Sequence, residues 1–134
     1  MRKKNANKRV VLLIEKLYED LEVWYPKIRL SEESIEVITA APERKTYHGK
    51  HGIPIEPDRK IDEIREQEFD GIIIPGGFAP DFLRRYSSVL NLLKAFDKKQ
   101  KLIAFICHAG WVPISARIVR GRKGTSLMSI KDDM

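Results

Sequence analysis

The chain has 134 residues, a single cysteine and 43% hydrophobic residues, a composition that supports one globular domain with a real core and excludes an intrachain disulfide. No apolar run approaches the ~20 residues of a membrane-spanning helix, and VVLLI after the basic start is shorter than the roughly 7–15 apolar residues of a signal-peptide core, so the expected location is the cytoplasm. Net charge is +6, but Arg2, Lys3, Lys4, Lys8 and Arg9 supply most of it; a solvated basic tail over residues 1–8 accounts for the excess, and neither nucleic acid nor membrane is an expected partner.

Residues 9–14 (RVVLLI) predict a first buried strand. Residues 20–33 place Leu21, Trp24, Tyr25 and Ile28 at helical spacing, and Pro26 within them predicts a kink or a late start. Residues 35–40 (IEVITA) predict a second strand. The Gly- and Pro-rich stretch 46–58 reads as an irregular hairpin over the sheet edge, and 61–68 as a short polar helix. A third strand at 69–74 (FDGIII) ends at Pro75-Gly76-Gly77. Helical periodicity follows at Val89, Leu92, Leu93 and Phe96, with Ser87 or Ser88 as N-cap. The uninterrupted apolar run 102–106 (LIAFI) predicts a strand buried on both faces. A helix from Trp111 to Val119, with Pro113 near its first turn, is expected next, and 124–130 predicts a last strand. Strands separated by helices of this length predict a single α/β domain over 1–134, built on a doubly wound, mostly parallel sheet.

Strand, sharp turn and helix around Cys107 is the geometry of a nucleophile elbow, which exposes a side chain beside backbone N–H groups and the positive end of a helix dipole. Such surroundings favour thiolate chemistry. A lone cysteine after a strand also fits a buried small hydrophobe, and spacing alone leaves both readings open. Ligands of a parallel sheet bind outside the carboxyl ends of its strands. The loops after Ile14, Ile74 and Ile106 therefore converge, bringing together Glu15, Glu19 and Asp20, then Gly76, Gly77 and Asp81, then Cys107 and His108. In such a group a thiolate attacks a carbonyl, N–H groups of Gly77 and His108 hold the oxyanion, an imidazole moves protons and a carboxylate orients it. Glu19 and Glu22 also fit simple complements to a helix dipole, and Gly76-Gly77 a plain turn. His48 and His51 lack a third ligand and read as parts of a structural loop, so no metal is expected.

The motifs Tyr18-Glu19-Asp20-Leu21-Glu22, Gly49-Lys50-His51-Gly52, Phe69-Asp70 running to Pro75-Gly76-Gly77 and Ala79-Pro80-Asp81, Ile106-Cys107-His108-Ala109, and Arg120-Gly121-Arg122 to Ile130-Lys131-Asp132-Asp133 occur in one order along the chain. In this they resemble the ThiJ/PfpI superfamily, within the class I glutamine amidotransferase-like fold, and most of all its PfpI-like branch. The resemblance implies a flavodoxin-like three-layer sandwich and a cofactor-free site. It implies Cys107 as nucleophile, Glu19 as the acid that hydrogen-bonds the sulfur, and His108 as base. It further implies that Asp81 of a neighbouring subunit in a homo-oligomer orients His108, with Gly76 and Gly77 at the substrate and oxyanion.

The activities implied are intracellular cysteine peptidase, glyoxalase and deglycase, acting on peptides, small carbonyl compounds or glycated adducts. A non-enzymatic redox-sensing or chaperone-like stress protein is the alternative. Two departures stand out. Phe105, two residues before the nucleophile, replaces the small residue usual in the family. The sequence also stops at Met134, where similar proteins continue with a strand pair and a C-terminal helix, so exposed apolar surface and a free strand edge are expected.

Overall fold

In the computed structural model, which describes residues 7–134, the run RVVLL forms the central strand β1 (Arg9–Leu13). The basic tail expected over 1–8 lies, as far as residue 6, outside the described residues; Lys8 bonds Asp70 at 2.6 Å. Val11, Leu12 and Leu13 are fully buried, as a strand flanked and covered on both sides must be. Parallel neighbours lie on either side: β2 (Glu36–Ala41) in the register Arg9↔Glu36, and β6 (Gly71–Ile74) in the register Val10↔Gly71. Outside them run β5 (Arg59–Lys60), which pairs with the end of β2, and β7 (Leu102–Phe105), which pairs with β6. The order β5-β2-β1-β6-β7, wholly parallel, is a flavodoxin-like α/β sheet.

The stretch 46–58 does form a small hairpin, with β3 (Tyr47–His48) antiparallel to β4 (Pro54–Ile55). Helix α1 (Asp20–Glu32) starts on time and runs through Pro26, which only lacks the N–H that would bond the Glu22 carbonyl. Helix α3 (Ser87–Lys98) buries Val89, Leu93 and Phe96 completely against the sheet, each contributing roughly 1.5–3 kcal/mol by area.

Several expectations fail for local reasons. The N-cap of α3 is Tyr86, not Ser87 or Ser88. A short helix α2 (Ala79–Leu83), with Pro80 in its first turn, precedes it. Residues 61–68 form two 3-10 turns rather than one helix. The last helix, α4, covers only Trp111–Ser115, because Arg117 turns to φ 60°. Residues 124–130 make no strand and end in the 3-10 turn Met128–Ile130. Most telling, β7 is an edge strand: Leu102 is 61% and Ile106 52% exposed. Its apolar run therefore reports a groove, lined by Leu21, Tyr25, Pro26, Ile73, Ala104 and Ile106, rather than a doubly covered strand. No helix among the described residues is long and apolar enough to cross a membrane.

Candidate active site

The loops after β1 and β6 are stitched together before the cysteine enters. Glu19 N–H donates to the Gly76 carbonyl at 3.2 Å, and Phe78 N–H to the Leu17 carbonyl at 2.9 Å. Gly77 takes φ 78° there, and a Cβ on it would sit 2.5 Å from the Leu17 oxygen and the Glu19 nitrogen. Only glycine permits this approach.

Cys107 follows β7 and opens the 3-10 turn Cys107–Gly110, which continues into α4. Its φ is 62°, a left-handed conformation that costs a residue bearing a Cβ of order 1–3 kcal/mol. The half-buried thiol lies 3.3 Å from His108 Nδ1. Gly76 lies directly beneath: a Cβ there would meet Cys107 Cβ at 2.6 Å, Cys107 Sγ at 3.2 Å and the Glu22 carboxyl. Glu22 Oε2 accepts the Gly76 N–H at 2.7 Å.

Glu22, not Glu19, is therefore the carboxyl that shares the pocket floor with the sulfur. Glu19 turns outward to Lys50, at 3.1 Å, and to His51, at 3.5 Å. Asp20 is buried and accepts the N–H groups of His51 (2.9 Å) and Ile53 (3.0 Å). Burial pushes its carboxyl up, but these donors outweigh that and hold it below the usual aspartate value. Asp20 thus pins the Gly49-Lys50-His51-Gly52 loop. Glu19, Asp20 and His51 do place three ligand atoms together, a cluster the histidine count alone did not reveal, but Asp20 is already satisfied by backbone donors. Glu15 is buried, its carboxylate accepting the Lys16 N–H at 2.7 Å. Asp81, on α2, is ion-paired with Arg85 one turn on. Within the protomer the partner of His108 Nε2 is Ser129, at 3.0 Å.

Burial pushes the Glu22 carboxyl above the ordinary glutamate value, more than the Gly76 N–H pulls it down; Glu19 adds to the rise, and Lys50 and His108 oppose it. The folded protein therefore retains this proton at pH values where the unfolded chain has lost it. That contribution is complete below the unfolded glutamate value and disappears as pH rises through the raised folded one. Glu22→Gln, which has no such slope, is expected to gain stability relative to wild type as pH rises from about 4 towards neutrality. Urea melts at a series of pH values check this, and parallel curves would contradict it.

Residues 8–134 match the model of the DJ-1/PfpI family. The chain belongs to that family. It is 41% identical over 126 residues to a Pyrococcus horikoshii protein named as a deglycase, covering 94% of this chain and 76% of the relative. An Escherichia coli relative named protein/nucleic acid deglycase 2 is 35% identical, covering 96% and 76%. Among solved structures, a two-domain Anabaena variabilis protein with a DJ-1/ThiJ/PfpI-like domain superposes with a TM-score of 0.92 at 33% identity, covering 94% of this chain and 37% of that one.

The stretch Ile130-Lys131-Asp132-Asp133 has a structural role in this chain. Ile130 is buried and reaches the space above Gly110, and Asp133 accepts the Trp111 indole N–H at 2.9 Å. The segment closes back over the elbow. Trp111 in turn packs against the His108 ring, with centroids 5.3 Å apart. The sequence places Glu22 and Asp133 in motifs without assigning either a role at the thiol, and gives no sign of Ser129. Glu22 is within reach of the pattern, since it lies in the first turn of α1, three residues after the N-cap Glu19. Ser129 carried no signal, because the chain returns to His108 through an irregular loop.

Proposed function

We propose that this DJ-1/PfpI protein is a Cys107-dependent enzyme of reactive-carbonyl chemistry, with glycated adducts as its substrate class, in keeping with the deglycase names of its relatives. The observation that carries this reading is the left-handed Cys107 backbone, which holds the thiol against His108 Nδ1 and over Gly76 and Glu22. Strain of that kind is retained where a side chain must be aimed.

In the reaction, His108 Nδ1 takes the thiol proton as Sγ adds to the carbonyl carbon of the adduct. The carbonyl oxygen gains the charge. The His108 N–H lies in the first turn of the 3-10 segment, where amides lack intrahelical acceptors, and with the Gly77 N–H it is suited to receive that oxygen. The Gly76 N–H is committed to Glu22 and is not a donor in this step. Glu22, its carboxyl raised above the ordinary glutamate value by burial, lies beside the sulfur at the floor of the site.

The test is incubation of the protein, its assembly state fixed by light scattering, with methylglyoxal and with methylglyoxal-modified N-acetyl-lysine, N-acetyl-cysteine and guanosine. Guanosine is included because the E. coli relative's name covers nucleic acid. Loss of adducts with release of lactate is the expected result. A folded preparation that consumes none of them, or that cleaves peptides instead, overturns the reading.

A further inference from the structure

We infer that Ser129 is the positioning residue for His108, holding Nε2 from within the same chain so that Nδ1 faces the Cys107 thiol. This rests on the reading of Cys107 and His108 as nucleophile and base. The two contacts are in line through one ring: Cys107 Sγ to Nδ1 at 3.3 Å, and Nε2 to Ser129 Oγ at 3.0 Å.

A ring that is to accept a proton at Nδ1 must carry its hydrogen on Nε2, and a hydroxyl oxygen at 3.0 Å is an acceptor for it. When the proton moves, the S–H bond breaks and the Nδ1–H bond forms, leaving thiolate beside imidazolium. The Nε2–H···Oγ bond persists through the step and becomes charge-assisted, so it favours the ion pair over the neutral pair.

Ser129 is well fixed for this. Leu127 N–H donates to the Cys107 carbonyl at 3.2 Å, Ile130 is buried immediately after Ser129, and Asp133 holds Trp111, whose ring packs on His108. The turn bearing Ser129 is thus tied to the elbow on both sides of the serine.

Among the described residues, Cys107, Glu22 from α1, Ser129 and the Trp111 ring act on His108, and Asp133 and Arg84 contact Trp111 in turn. Because Glu22 itself titrates, the test is run in both the wild-type and the Glu22→Gln background.

The measurement is the pH dependence of Cys107 alkylation by iodoacetamide, in which the S–C bond forms as iodide leaves. It needs no enzyme substrate, so failure of the deglycase assay leaves it standing. Ser129→Ala is expected to slow alkylation about three- to ten-fold near neutral pH, the worth of one hydrogen bond to the charged ring, and to displace the profile to higher pH. Ser129→Thr, which keeps the hydroxyl, is expected to restore it. With only three histidines in the chain, imidazole nitrogen NMR is expected to show the neutral His108 ring protonated at Nε2 in wild type and losing that preference in Ser129→Ala. A Ser129→Ala profile that superimposes on wild type in both backgrounds, or a shift that Ser129→Thr does not rescue, overturns the inference.

Discussion

Cys107→Ala is expected to lower turnover of carbonyl adducts by roughly 10³-fold or more, the usual consequence of deleting a covalent nucleophile, while leaving stability within about 1 kcal/mol of wild type. The second half of that expectation follows from the backbone. Alanine keeps the Cβ and so inherits the φ of 62°, and the half-buried sulfur leaves little cavity behind.

Cys107→Gly separates the two effects further. Glycine occupies the left-handed region freely, so the strain of order 1–3 kcal/mol is relieved, less the 0.5–1 kcal/mol that glycine's freedom adds to the unfolded chain, all as approximate magnitudes. This variant is expected to be inactive yet to melt about 2–4 °C higher than wild type. Paired kinetic and melting measurements on the two variants decide the matter. A Cys107→Ala protein that retains turnover removes the nucleophile from the scheme. A Cys107→Gly protein that melts lower shows that the elbow is held by contacts of the side chain rather than against its own backbone.

The parts of this molecule that were legible in its sequence are those set by local pattern. The run Val10 to Ile14 and the run Gly71 to Ile74 had to be covered strands, and the alternation of strands with helical periodicity required a parallel sheet whose loops meet at one edge. The elbow was legible for the same reason, since an apolar strand ending in Cys107 and followed by small residues leaves few other geometries. What was not legible depended on chain returning from a distance. Leu102 to Ile106 looks like a buried strand because its composition cannot report whether another element covers it; the structure leaves Leu102 and Ile106 exposed. The choice between Glu19 and Glu22 depended on which face of α1 meets Gly76. Both acids lie in one motif, and Lys50 and His51, arriving from the 46–58 hairpin, draw Glu19 away. Ser129 reaches His108 only because the loop after Arg117 folds back, and no periodicity announces a loop.

Gly76→Ala is expected to lower both stability and turnover, because the added methyl group presses on the nucleophile itself. The added Cβ would lie 2.6 Å from Cys107 Cβ and 3.2 Å from Sγ, and against the Glu22 carboxyl. The clashing Glu22 oxygen is the far end of a flexible side chain and can give way, at the cost of its bond from the Gly76 N–H. Cys107 does not, because its Cβ is placed by β7 on one side and by the Cys107–Gly110 turn on the other. Relief must therefore come from moving the elbow itself. Overpacking of this kind costs about 1–3 kcal/mol of stability, and displacing a nucleophile by about 1 Å is enough to lower turnover about 100-fold.

Gly71→Ala supplies the control. There a Cβ would meet the Leu102 side chain at 3.1 Å and its carbonyl at 3.3 Å, between β6 and β7 and away from the thiol. It is expected to reduce stability by about 1–3 kcal/mol with kcat retained. Melting temperature and kcat measured for both variants distinguish steric pressure on the sheet from steric pressure on the nucleophile. Equal kcat losses in the two would mean that turnover follows global stability, whereas loss confined to Gly76→Ala would mean that the absent side chain at position 76 is what leaves the thiol its working position.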